Sequence, residues 1–533
     1  MKRMSLVKES WNSRLGIIFA VAGSAVGLGN FLRFPGLAAQ YGGGAFMIAY
    51  FVSLLFIGVP VSLAEWTVGR QGGGLGFHSS PGIFHALIQR RWAKYLGTIG
   101  LFVPLTVVMY YMYVEAWCMG YAFNACTGRL SATGPEGFAG FFKDFTGISA
   151  NGGAIGFGTD KVGMFVLIVF VVNFFLIYRG VSRGIERMCR VGMPLLILLA
   201  VVILVRVFTL GTPNAAYPDR NVLAALGHMW NPGDVLGQLN NPQLWLAAAG
   251  QIFFSLTIGM GAVITYSSYL RKTDDVTLSS LTAVSANEFC EVALGGMTTV
   301  PAIFLFLGAS GVVGQTFSLG FIALPEVFAN MVAGPVFATA FFLLLLLAAV
   351  TSSISLLQPC IAFIEEAFRV PRRISISWLC GVCALGTSWV WYFSKDLKAL
   401  DTMDFWVGNV GVFLQGTLII VIFGWIVGIE KSWSAMHQGA ALRVPSVFRF
   451  IMKYLTPTYL IAIFIMFLLQ NVAGWNFSFV RPDFRPTGYI TDLFGETASD
   501  VARLTASFMA LTLLAGLFLV RIARRRWETD GHH

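Results

Sequence analysis

At 533 residues, 56% apolar and only 12% charged, with a mean hydropathy of +0.73, the chain has too little polar surface to cover a water-soluble globule. Its 36 basic and 26 acidic side chains give a net charge of +10. Seven scattered cysteines lie mostly inside apolar runs and read as small buried hydrophobes rather than a disulfide framework, with only Cys118 and Cys126 approaching an outward loop.

A short basic arm with Lys2, Arg3, Lys8 and Arg14 runs straight into a long apolar segment without a small-residue cleavage site, so it is expected to stay on the protein. A helix crosses the hydrocarbon layer in about 20 apolar residues, since its amides must bond within the segment. Twelve segments meet that requirement: 14–38, 44–70, 93–127, 163–179, 190–209, 244–270, 277–308, 337–368, 375–394, 402–428, 450–470 and 502–523. Of the 36 Lys and Arg, 25 lie in the arm, the tail and alternate connections, which places both termini in the cytoplasm and makes the basic excess a topology signal rather than a nucleic-acid footprint. On the opposite side, 128–160 and 210–243 are long and rich in turn formers, and 309–336 contains SLGFIALPEVFANM, suited to short helices over an outer mouth.

The first span, GIIFAVAGSAVGLGNFLRFPGLAA, places Gly23, Gly27, Gly29 and Pro35 in one membrane segment, a density that strains a continuous helix. The sixth, AAAGQIFFSLTIGMGAVITYSSYL, carries Gly259 and Gly261 beside Ser255 and Thr257. Glycine alone would only let helices approach closely. Here polar residues accompany it: Ser24, Asn30 and Arg33 in the first span, Asn287, Glu288 and Glu291 in the seventh, and Thr351, Ser352, Ser353 and Ser355 in the eighth. Hydroxyls, amides and freed carbonyls without a His or Cys cluster suit a hard monovalent cation, of which sodium is the natural candidate. Two interrupted spans in equivalent places divide the chain as five plus five plus two.

GSAVGLGNFLRFPGLAAQYGGGAF, YYMYVEAW, GQIFFSLTIGMGAVITYSSY, NEFCEVALGG, TSSISLLQP and DFWVG together resemble the neurotransmitter:sodium symporter family, and most closely its bacterial amino-acid members. The resemblance implies an all-α membrane protein of 12 transmembrane helices, with a LeuT-type 5+5 inverted repeat, broken helices 1 and 6, and two C-terminal helices. Its parts would be an N-terminal arm (1–13), a first repeat (14–210), a second repeat (211–430), helices 11 and 12 (431–527) and a tail (528–533).

Carried over by position, the resemblance implies a first sodium held by the Ala25 carbonyl, Asn30, Ser255 and Asn287. A second sodium would lie between the carbonyls of Gly23, Val26 and Ala348 and the hydroxyls of Thr351 and Ser352. Monoamine-binding members carry Asp where this chain has Gly27, so glycine leaves room for a ligand's own carboxylate, met by Ala25, the amides around Gly27, Leu28 and Gly29, and the Tyr111 hydroxyl. The side-chain pocket would be Val107, Phe254, Thr257, Met260, Ser352 and Leu356, which contains no charge. Arg33 and Asp404 match an outer gate pair above Tyr111 and Phe254, with Asp401 as rival partner. Lys8 and Glu366 match an inner gate packed by Trp11, Ser268 and Tyr269. Glu291 stands where chloride-dependent members carry Ser, implying that its charge replaces chloride. Glu65 and Glu115 read as structural, with Glu65 accepting hydrogen bonds from backbone freed at the breaks.

The expectation is therefore a symporter, not an enzyme, that imports neutral, apolar or aromatic L-amino acids with Na+ at two sites and no chloride. It would sit in the plasma (bacterial inner) membrane. Its partners would be an amino acid, the lipid bilayer and, as one option, a second copy in a homodimer, with no nucleic acid. Proton coupling through Glu291 and a non-transporting amino-acid sensor on the same scaffold remain the alternatives. A membrane enzyme finds no metal cluster, nucleophile motif or nucleotide loop in the sequence.

Overall fold

The apolar runs fold as helices that satisfy their own backbone. The computed structural model describes residues 11, 13–131, 136–231, 233–313, 316–475, 484–495 and 498–530, and helix dominates among them. In chain order the helices that build the site are α1 (Arg14–Ala25), α2 (Gly29–Gln40), α3 (Gly44–Gly74), α4 (Ser80–Ile88), α5 (Ala93–Cys126), α6 (Gly163–Tyr178) and α7 (Val181–Phe208). After a long connection come α8 (Pro242–Ser255), α9 (Ala262–Ser268), α10 (Val276–Leu307), α11 (Gly334–Phe368) and α12 (Arg372–Tyr392). The chain ends with α13 (Lys395–Ile426), α14 (Val447–Val472), the short α15 (Gly488–Phe494) and α16 (Asp500–Asp530).

Caps set several helix starts. Ser13 Oγ accepts from the Gly16 amide at 3.0 Å, and Asp275 Oδ1 accepts from the Leu278 amide at 2.9 Å. Among the described residues nine helices are long and apolar enough to span a membrane, or ten when α1 and α2, bent by 49°, count as one. The difference from the twelve expected segments lies in two places. α6 has only 16 residues, and the segment expected at 244–270 is two helices separated by Leu256–Gly261. The connection at 309–336 contains the short apolar helix Thr316–Ala329, as its sequence suggests.

α11 lies along α5 as the central pair, with α1 and α7 against α11. α3 meets α9 so closely that glycine is obligatory: a Cβ on Gly69 would stand 2.3 Å from the Ile264 carbonyl oxygen, and one on Gly73 would stand 1.8 Å from that of Ser268. Cys118, expected near an outward loop, is instead fully buried inside α5 because its face of that helix packs into the bundle. All seven cysteines are free.

Candidate functional site

The site is built from two interruptions. α1 ends at Ala25, Val26 is extended at φ −73° and ψ 96°, and helix resumes at Gly29. In the second, Thr257, Gly259 and Gly261 have φ of 53°, 75° and 76°. The left-handed conformation is costly for a β-branched residue. At Thr257 the hydroxyl donates to the Ser24 carbonyl at 2.8 Å, tying one break to the other. Ser352 Oγ donates to the same carbonyl at 3.2 Å, which adds α11 to the junction. Glycine serves both conformation and space in the second break: Cβ atoms on Gly259 and Gly261 would lie 2.3 Å and 2.2 Å from the carbonyl oxygens of Val412 and Gly100.

Backbone freed in an apolar layer needs an acceptor. Glu65 supplies one, its Oε1 receiving the Gly259 amide at 2.8 Å. Glu65→Leu removes that acceptor and is expected to cost about 1–3 kcal/mol. Heating the detergent-solubilised protein and following tryptophan fluorescence should show earlier unfolding than in the parent, whereas an unchanged transition would mean that the break is held elsewhere.

A small cavity of about 20 Å³ lies where the breaks meet α5 and α11. Ala25, Gly27, Gly29, Val107, Tyr111, Phe254, Thr257, Met260, Ser352 and Leu356 line it, joined by Ser24 and Asn30. Leu28, grouped with these by sequence, is buried and contributes backbone: its amide lies beside the Tyr111 hydroxyl, as does the Ser352 hydroxyl. The volume accommodates about one water, so a larger solute requires the walls to part. Gly27 faces the polar end, where a Cβ would come within 3.2 Å of Ser352 Oγ and 3.4 Å of Tyr111 Oη. The Gly27 amide is already committed to Asn30 Oδ1 at 2.9 Å. The amides of Leu28 and Gly29, at a helix start, are therefore the ones placed to meet an anion.

Asn30, Ser255 and Asn287 form one cluster. Asn30 Nδ2 donates to Asn287 Oδ1 at 2.9 Å, and Asn287 Nδ2 lies 3.4 Å from Ser255 Oγ and 3.3 Å from Glu291 Oε2. Each amide oxygen keeps a second lone pair, so this donor set suits an alkali cation without losing its internal bonds. Around Glu291, Tyr50 donates at 2.8 Å and the Gln251 amide donates to the other carboxylate oxygen. Tyr50 Oη also lies 2.7 Å from Glu288 Oε2.

On α11, Thr351 Oγ1 donates to the Leu347 and Ala348 carbonyls at 3.0 and 3.1 Å, and Ser352 Oγ shares its one proton between the Ala348 carbonyl at 2.9 Å and that of Ser24. A hydroxyl that spends its proton on its own helix still presents its lone pairs outward. Gly23 abuts this pair, since a Cβ there would meet Thr351 Cβ at 3.4 Å. Val26 and Ala348 are both fully buried.

The pairing expected of Arg33 and Asp404 differs from that observed. Arg33 does not pair with Asp404: its Nη2 donates to Asn409 Oδ1 at 3.2 Å, and its guanidinium carbon lies 5.0 Å from the centre of the Phe254 ring. Asp404 Oδ1 instead accepts from Tyr110 Oη at 2.7 Å, so the acid is satisfied by a phenol and the cation by an amide. Asp401 lies one turn before Asp404 on α13. On the inner side Lys8 lies outside the described residues. Glu366 receives the His78 and Ser79 amides at 2.7 and 3.0 Å and the Ser79 hydroxyl at 3.0 Å, which commits it to the start of α4. Trp11 Nε1 donates to the Tyr266 carbonyl at 3.1 Å; Ser268 Oγ donates to Thr265; Tyr269 stacks on His78 and accepts from Gln358 at 2.8 Å.

The sequence matches the model of the Sodium:neurotransmitter symporter family over residues 8–135 and 139–490. The chain belongs to that family. An uncharacterised sodium-dependent transporter of Haemophilus influenzae is 28% identical over 481 residues, covering 86% of this chain and 98% of the relative. The sodium-dependent transporter YhdH of Bacillus subtilis is 30% identical over 428 residues, covering 78% and 86%. The crystal structure of MhsT in complex with L-phenylalanine superposes with a TM-score of 0.72 at 28% identity, covering 86% of this chain and 99% of that one. As a member of this sodium-dependent, multi-pass membrane family the protein is a secondary transporter and not an enzyme.

Within this symporter framework the sequence overlooked Tyr50, Gln251 and Asn409. Tyr50 and Gln251 reach Glu291 from helices 241 and 40 residues away, distances at which no local spacing signals a contact. Ser24, one of the polar residues that mark the first span in the sequence, is buried at the cavity, and its Oγ has no hydrogen-bond partner among the described residues. Asn409 lies beyond the DFWVG motif that drew attention to α13.

Proposed function

We propose that this chain is a sodium-coupled symporter that imports neutral L-amino acids with apolar or aromatic side chains by alternating access, independently of chloride. Twelve spans in a five-plus-five inverted repeat with two added helices would carry the site, with both termini cytoplasmic. The observation that carries this reading is the cavity at the two breaks. It has amides, hydroxyls and the Tyr111 phenol at one end and uncharged side chains at the other, so a zwitterion fits and a charged side chain would be buried unpaired. MhsT, similar along most of the chain, has been crystallised with L-phenylalanine.

The substrate carboxylate would join Ala25, Asn30, Ser255 and Asn287 as a ligand of the first sodium, which makes solute and ion bind together. A second sodium held by Gly23, Val26, Ala348, Thr351 and Ser352 would clamp α1 to α11, and its departure inward would free α1 to swing. Each sodium entering down the membrane potential contributes about 2.3 kcal/mol per 100 mV.

Uptake of tritiated L-phenylalanine into proteoliposomes should follow an inward sodium gradient, vanish with choline and persist in gluconate. Uptake equal in sodium and choline would refute the coupling. Thr351→Val removes one ligand of the second site, and the sodium concentration for half-maximal uptake is expected to rise about tenfold. An unaltered sodium curve would remove Thr351 from that site. Proton coupling is the second reading, favoured by Tyr50 lying 2.7 and 2.8 Å from two carboxyl groups. A phenol has one proton to give, so both contacts are hydrogen bonds only when one carboxyl group carries a proton. Uptake driven by a pH gradient without sodium would select that reading.

A further inference from the structure

We propose that Asn409 is the positioning residue of the outer lid: its amide holds Arg33 across Phe254, so that the cavity is closed by a cation on a neutral partner instead of an ion pair. The proposal rests on the transport reading above.

Four observations converge on it. Arg33 Nη2 donates to Asn409 Oδ1 at 3.2 Å while the guanidinium stacks on Phe254 at 5.0 Å. Phe254 in turn covers Gly29, where a Cβ would stand 2.9 Å from the ring, so guanidinium, ring and backbone form a stack over the cavity. Asn409 Nδ2 donates to the Asp404 carbonyl at 3.2 Å. That bond reaches five residues back along a stretch of α13 wound as a π-turn, Asp404–Gly411, and it turns Oδ1 toward Arg33. The nearby acid is engaged elsewhere, since Asp404 Oδ1 accepts from Tyr110 at 2.7 Å.

The choice of an amide has a physical consequence. A guanidinium bonded to a neutral oxygen is held less firmly than one bonded to a carboxylate. Arg33 is thus fixed in place but releasable, and the strength of its hold is set at position 409.

Labelling of a cysteine beneath the lid tests this without requiring a substrate. In a Cys126→Ser background carrying Val107→Cys in the cavity wall, the rate of modification by a charged methanethiosulfonate added from outside reads lid opening. Asn409→Asp, which gives Arg33 a carboxylate, is expected to slow labelling about tenfold. Asn409→Leu, which frees Arg33, is expected to speed it about tenfold, and Asn409→Gln to return it close to the parent rate. If the Asp and Leu variants shift the rate in the same direction, or leave it within about twofold, Asn409 does not position the lid. Absence of sodium-dependent L-phenylalanine uptake in the parent would strike the transport reading while the labelling series still judged the lid; normal uptake with unmoved labelling would strike the lid alone.

Discussion

Gly27→Asp is expected to abolish sodium-dependent L-phenylalanine binding, with a loss of at least about a hundredfold in affinity. A Cβ at this position would already stand 3.2 Å from Ser352 Oγ and 3.4 Å from Tyr111 Oη, so a carboxylate built on it must occupy the polar end of the cavity. That is where the ligand's own carboxylate is proposed to lie. Two carboxylates in one small buried space cannot both be charged without a large penalty. The loss should be specific. Phenethylamine, which has the aromatic side chain and amine but no carboxylate, is expected to compete better against the variant than against the parent. Equal L-phenylalanine affinity in parent and variant, measured by scintillation proximity, would remove Gly27 from the substrate site.

Glu291→Ser is expected to convert chloride-independent uptake into chloride-dependent uptake. Glu291 is fully buried and stands in a cluster with Asn287, Tyr50 and Gln251, so its charge acts across a region shielded from water. Serine removes the charge and leaves donors from Tyr50, Gln251 and Asn287 converging on vacated space, a set suited to a halide. In gluconate the variant should transport at least about tenfold more slowly than the parent. Chloride should recover much of that rate in the variant and change nothing in the parent. A variant that is fully active without chloride, or a parent that requires it, would overturn the role given to Glu291.

Helix content and the two breaks were readable from sequence because they are local. Apolar length dictates the helices, and the density of glycine around residues 23–29 and 259–261 dictates where they fail. The cavity-lining residues came through the family resemblance, which fixes positions that no spacing rule could supply. What stayed hidden was tertiary. Arg33 and Asp404 carry opposite charges at suggestive places, yet Arg33 takes the amide of Asn409 and Asp404 takes the phenol of Tyr110. The family resemblance suggested one pair where packing made two. The fifth segment begins at Val181 rather than 190, since polar Ser182, Arg183, Glu186 and Arg187 continue a helix that hydropathy would cut short. Glu366 accepts three hydrogen bonds at the start of α4 that its place in the sequence does not signal, and its expected gate partner Lys8 lies outside the described residues.

The glycines at 69 and 73 have a mechanical consequence. With α3 and α9 pressed together at two successive turns, and only the small Ser267 hydroxyl and main-chain carbonyls between them, the two helices mesh like two teeth of a gear. If transport proceeds by the proposed alternating access, any rocking of α9 would drag α3 with it, so this half of the sixth segment would swing as a coupled arm and not bend as one rod.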